Sequence, residues 1–203
     1  MGPRSMKQTD CLACVLKGDN YCETCAKLTC QVHHKLHEGF CNEGKEMGCD
    51  IHTYLEVKHA EGDTWDCEVL IDLGRDYTLF GYLADVRAAV KGGFTPKGVP
   101  KDLSWRTESY YGIAVTDGDL SYGVPEKSAE DWVKRGDSVW LTTRGTHRRV
   151  SSPDWHSASW LTADELKQVL DKYDHSTLKA TYHMMKSFEE EGHSARLVFW
   201  FDN

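Results

Sequence analysis

Between Cys11 and Cys41 the chain holds six of its eight cysteines and three of its ten histidines. The spacing is Cys11-x2-Cys14, Cys22-x2-Cys25 and Cys30-x2-His33, followed by His34, His37 and Cys41. A Cys-x-x-Cys turn presents two thiolates to one tetrahedral zinc ion. Two closed sites need about eight ligands, and this stretch supplies Cys11, Cys14, Cys22, Cys25, Cys30, His33, Cys41 and either His37 or His34. Its large apolar side chains are nearly limited to Val15, Leu16, Tyr21, Leu28, Val32, Leu36 and Phe40. That is too little for a core, so something else must supply the folding energy, and zinc can do so. The alternatives are a single zinc with bystander ligands, or disulfides. The polar start MGPRSMKQTD carries no secretory signal and weighs against disulfides.

The interleaved order predicts a cross-brace. Cys11 and Cys14 share one ion with Cys30 and His33, and Cys22 and Cys25 share a second with His37 or His34 and Cys41. The run YCETCAKLTCQVH resembles the B-box zinc module of tripartite-motif proteins, over about 30 residues. Cys41 departs from it, standing where a B-box has histidine. The interleaved spacing predicts about two structural zinc ions, and docking of a protein partner through this module belongs to a reading of the protein as a non-catalytic binder.

Residues 42–48, NEGKEMG, read as a linker between a module at 1–46 and a domain at 47–203. The net charge of −8 falls wholly on residues 47–203, with 18 Lys/Arg against 26 Asp/Glu; the module balances six against six. Nucleic-acid binding needs a basic face, so both parts weigh against it. No apolar run approaches the ~20 residues that span a membrane, and a cytoplasmic protein is expected.

The periodicity of 47–203 predicts an α+β domain with a mixed or antiparallel sheet and three main helices. CDIHTYLEVK alternates strictly, with Ile51, Thr53, Leu55 and Val57 on one face and Asp50, His52, Tyr54, Glu56 and Lys58 on the other. TWDCEVLI makes a hairpin partner. A helix is expected over 75–90, a long loop over 91–108, short strands at 110–115 and 138–144, and one or two helical turns at 129–136. The stretch 146–160 reads as irregular. Thr162 and Glu165 form a capping box for a helix to about 173, and a second helix runs from 176 to 190. ARLVFWFD, apolar on both faces, predicts a central strand.

Two Asp-x-His triplets, Asp50–His52 and Asp154–His156, each offer a carboxylate and an imidazole from one face of an extended chain. Meeting, they would form an open N/O site for a divalent metal that activates water. Arg75 and Arg87 could clamp a phosphate, and Ser157 adds a hydroxyl beside His156. The bland reading is a solvated strand edge, a turn aspartate and surface arginines.

At these residues, in MGCDIH (47–52), RDYTLFGYLADVR, KGVPKDLS, DWHSASWLT and RLVFWFDN, the domain resembles a family of short proteins encoded by bacteriophages and their hosts. The likeness spans 47–203 and implies that 1–46 is an added module. It brings no activity with it. The expectation is a phage-type accessory protein whose pocket binds a phosphate-bearing small molecule or nucleotide, with metal-dependent hydrolysis as its reaction. The rival is a binding or sequestering protein without catalysis.

Overall fold

A computed structural model describes residues 48–116, 123–141 and 148–202. The expected zinc module, with all its candidate ligands from Cys11 to Cys41, lies outside the described residues.

Seven strands and five helices alternate along the described chain: β1 (Asp50–Lys58), β2 (Asp66–Leu70), α1 (Tyr77–Ala84), α2 (Trp105–Tyr111), β3 (Gly112–Ala114), α3 (Glu126–Arg135), β4 (Trp140–Leu141), β5 (Arg149–Ser151), β6 (His156–Thr162), α4 (Ala163–Leu170), α5 (Ser176–Glu190) and β7 (Ser194–Asp202). The fold is α+β with antiparallel sheets. The larger sheet has the order β2-β1-β7-β6, the smaller β3-β5-β4. The terminal strand is internal, as its two-faced apolar pattern requires. It pairs with β1 over nine residues, from Asp50↔Asp202 to Lys58↔Ser194.

The period of two sorts β1 and β7 onto two cores. Leu55, Val57, Leu197, Phe199 and Phe201 pack beneath Leu79, Phe80 and Leu83 of α1, Leu166 and Val169 of α4, and Leu178 and Met185 of α5. Tyr54, Val198 and Trp200 face the other way, against Leu103, Tyr111 and Ala158. Each fully buried Leu or Phe contributes roughly 1.5–3 kcal/mol, so a strand buried on both faces anchors the domain.

The sequence reading needs four corrections. The helix expected over 75–90 ends at Ala84, because Asp85 turns left-handed (φ 54°) and caps it with its N–H. Chain 88–94 then folds back on α1, so close that a Cβ on Gly81 would lie 2.4 Å from the Ala88 carbonyl oxygen. Within the expected loop 91–108, Ser104 starts α2 by accepting the Thr107 N–H, and α2 takes the first two residues of the expected strand 110–115. The supposedly irregular 146–160 holds β5 and most of β6. There are thus five helices, not three. The capping box at Thr162 and Glu165 forms as read.

The polar face of β1 is not a solvated one. Glu56 is fully buried and pairs across the strands with Arg196. Its Oε2 accepts Arg196 Nε–H at 2.8 Å, and its Oε1 accepts the Ser104 N–H at 2.9 Å, at the start of α2. Arg196 also donates to the Asp102 carboxylate at 2.7 Å and to the Asp102 carbonyl at 2.9 Å, and it lies over the Trp65 ring.

Candidate functional site

Register brings three strand ends together. Asp50 lies opposite Asp202, and Ile51 and His156 flank Phe201 from either side. Directly paired residues share a face. Asp50, His52, Trp200 and Asp202 therefore share one face, while Ile51, Phe201 and His156 share the other.

On the first face, His52 Nε2 lies 3.0 Å from Asp202 Oδ2, and Asp202 Oδ1 accepts the Asp50 N–H at 3.1 Å. One carboxylate thus fixes both a ring and a strand end. The His52 ring packs against both Trp155 (centroids 4.8 Å apart) and a near-parallel Trp200 (5.6 Å), which also touch each other (6.1 Å). Arg75 grips Asp50 through Nε and through Nη2, the latter 2.7 Å from Oδ2. That hydrogen bond holds the Asp50 carboxyl below the usual carboxylate range and pushes the guanidinium up. Side-chain exposures of 32% for His52, 28% for Asp202, 47% for Asp50 and 56% for Arg75 leave the cluster open to a ligand. Farther in, Tyr54 stacks on Trp200 at 4.8 Å. Burial pushes its phenol up to about 12, so it stays protonated at neutral pH.

The second face carries a different group. Cys49 Sγ lies 4.0 Å from His156 Nε2, and His156 Nδ1 lies 3.1 Å from Ser157 Oγ. Burial pushes the Cys49 thiol up, against an opposing pull from Arg87. Ser157 is left-handed (φ 49°) within the irregularity in β6 between His156 and Ser159.

The two Asp-x-His segments reach the same end of the sheet but do not build the four-residue centre expected of them. His52 and His156 lie on opposite faces, because His156 pairs with Phe201 and His52 with Trp200. It is Trp155 that joins His52, with its Nε1–H donated to the Tyr111 carbonyl at 2.9 Å. Asp154 is exposed. Among the described residues no group of three or more His, Cys, Asp or Glu side chains stands close enough to hold a metal ion. Of the two arginines, Arg75 meets the His52 face and Arg87 the His156 face. The sequence reading passed over Asp202 and Cys49. The signal for Asp202 was its place at the end of a central strand that must lie beside β1. Cys49 directly precedes the triplet already singled out.

No family model, curated protein or solved structure matches this chain.

Proposed function

We propose that this domain binds a phosphate-bearing small molecule or nucleotide at the His52 face and hydrolyses it. The observation that carries the reading is the His52–Asp202 pair, 3.0 Å apart, partly exposed and beside an arginine. With Nε2–H donated to Asp202, the neutral ring keeps a lone pair on Nδ1. That atom takes a proton from an attacking water, and Asp202 orients the ring and steadies the imidazolium that forms. Arg75 spends two of its five donors on Asp50, and its remaining N–H groups face a phosphate oxygen. A divalent ion carried in by the phosphates belongs to the same reading, as does an N-terminal zinc module that docks a partner protein. An accessory role in a phage-infected cell belongs to the same reading.

The test is phosphate release from ATP, GTP and pyrophosphate by the full chain, with and without Mg²⁺ or Mn²⁺. Asp202→Asn should lower the rate roughly 100-fold, in line with loss of an acid–base partner. Absence of release from every compound under every condition refutes the hydrolysis. An undiminished rate in Asp202→Asn refutes the assignment.

A further inference from the structure

The chain that runs out of β2 borders the His52 face. Tyr54 pairs with Leu70, and the Ile71 N–H bonds the Thr53 carbonyl at 2.9 Å, so the antiparallel register continues past the end of β2. It sets Asp72 level with His52. Ile71 and Leu73 are buried in the core beneath α1, so alternation turns Leu70 and Asp72 to the other face, with Tyr54 and His52. Three levels follow along this edge. At the first, Arg75 grips Asp50. At the second, Asp72 stands exposed beside His52, with only its Oδ1 engaged, by the Gly74 N–H at 2.9 Å. At the third, Leu70 lies opposite Tyr54 and is 58% exposed; the Tyr110 ring of α2 stacks on Tyr54 at 5.3 Å, yet the residue is still 47% exposed. Leu70 and Tyr110 are two of the five large apolar side chains exposed among the described residues, and both meet at the same buried tyrosine.

We propose that this edge makes the ligand a ribonucleoside phosphate, with its phosphates at Arg75, its ribose hydroxyls at Asp72 and its base against Leu70 and Tyr110. The proposal rests on the reading of the His52 face as a phosphate site and names the rest of the molecule bound there. Successive levels lie two residues apart on β1, roughly 6.8 Å, so the edge runs roughly 14 Å from Asp50 to Tyr54. Its order of cation, carboxylate and apolar pair matches the order of anion, diol and flat ring along a nucleotide. A carboxylate beside His52 repels a phosphate but accepts hydrogen bonds from both hydroxyls of a ribose. A base laid on Tyr110 extends the Tyr54–Tyr110 stack by one ring and takes the exposed surface of Leu70 out of water. Stacking of this kind accepts any base, since every base has a π-face, and Leu70 adds no hydrogen bond that would choose among them.

The probes are ATP, GTP and UTP, with tripolyphosphate as the counterpart that lacks ribose and base, titrated calorimetrically into the full chain. The nucleotides should bind at least about tenfold tighter than tripolyphosphate and close to one another in affinity. Tyr110→Ala should weaken each nucleotide at least about fivefold and leave tripolyphosphate unchanged. Asp72→Ala should weaken ATP while tripolyphosphate binds as well or better, a split that general loss of structure would not produce. If Tyr110→Ala fails to fold, Leu70→Ser, at an exposed strand edge, reads the same subsite. Tripolyphosphate binding as tightly as the nucleotides, or ATP affinity unchanged in either folded variant, overturns the proposal and leaves the phosphate reading standing. Absence of saturable binding for all four probes overturns both.

Discussion

Removing Arg196 tests whether the buried network, more than the apolar pattern, fixes the face that carries the site. Arg196→Ala leaves the fully buried Glu56 carboxylate with the Ser104 N–H and without its ion-pair partner, which lies 2.7 Å away. Breaking a buried pair from one side costs about 3–5 kcal/mol, because the remaining charge stays desolvated. Domains of this size hold about 5–15 kcal/mol in total and lose about 2–4 °C per kcal/mol. The melting temperature should therefore fall by roughly 6–20 °C, with a lower urea midpoint and an unchanged slope. The double variant Glu56→Gln, Arg196→Met removes both charges. It should cost about 1–3 kcal/mol less than the two single changes added together. A loss below about 1 kcal/mol in Arg196→Ala, or strict additivity in the double variant, refutes the reasoning.

Gly81→Ala should destabilise by about 1–3 kcal/mol although alanine is the better helix former, since the new Cβ meets the Ala88 carbonyl; urea denaturation reads it, and a gain in stability contradicts the packing described. The contribution of four carboxylates to stability should be full above about pH 5 and fall below about pH 4. Arg75 holds Asp50 low, while at Asp76, Asp102 and Glu165 burial pulls upward but is outweighed by bonds from the Leu79 amide and Tyr173, from Arg196, and from Lys97. These folded-state carboxyls bind fewer protons than their unfolded counterparts, so their contribution is full above the unfolded values and lost as pH falls through the folded ones; thermal melts from pH 7 to 2.5 check this. The N-terminal 46 residues should bind about two zinc ions and lose their structure on chelation. Elemental analysis of the reduced full chain giving less than one zinc removes that expectation.

Much of the larger sheet was legible because its strands obey a period of two with little interruption. β1 alternates cleanly, and β7 is apolar on both faces, which only an internal strand can be. The helices α4 and α5 were legible from a capping box and a three- and four-residue apolar step. What escaped was decided by tertiary contacts. Residues 146–160 carry too many polar side chains to look like strands, yet β6 pairs with β7, and its serines are absorbed: Ser159 is fully buried and accepts the Lys97 N–H at 3.1 Å. Alternation put Glu56 on the polar face of β1 but could not show what it meets there; Arg196, 140 residues away, supplies its partner. The site was half legible for the same reason. The triplet Asp50–His52 marks the right strand end, but its completing carboxylate, Asp202, is known only once β7 is laid antiparallel to β1. The identity of the face on which His156 falls follows from register, which no spacing within the triplet reveals.

The central claim is that the His52 face binds phosphate, and calorimetric titration of the full chain with ATP and with pyrophosphate tests it most directly. The account predicts saturable binding that weakens at least about tenfold, or about 1.4 kcal/mol, in both His52→Ala and Arg75→Gln, with each variant still folded. Absence of saturable heat for either compound, or unchanged affinity in both variants, contradicts it.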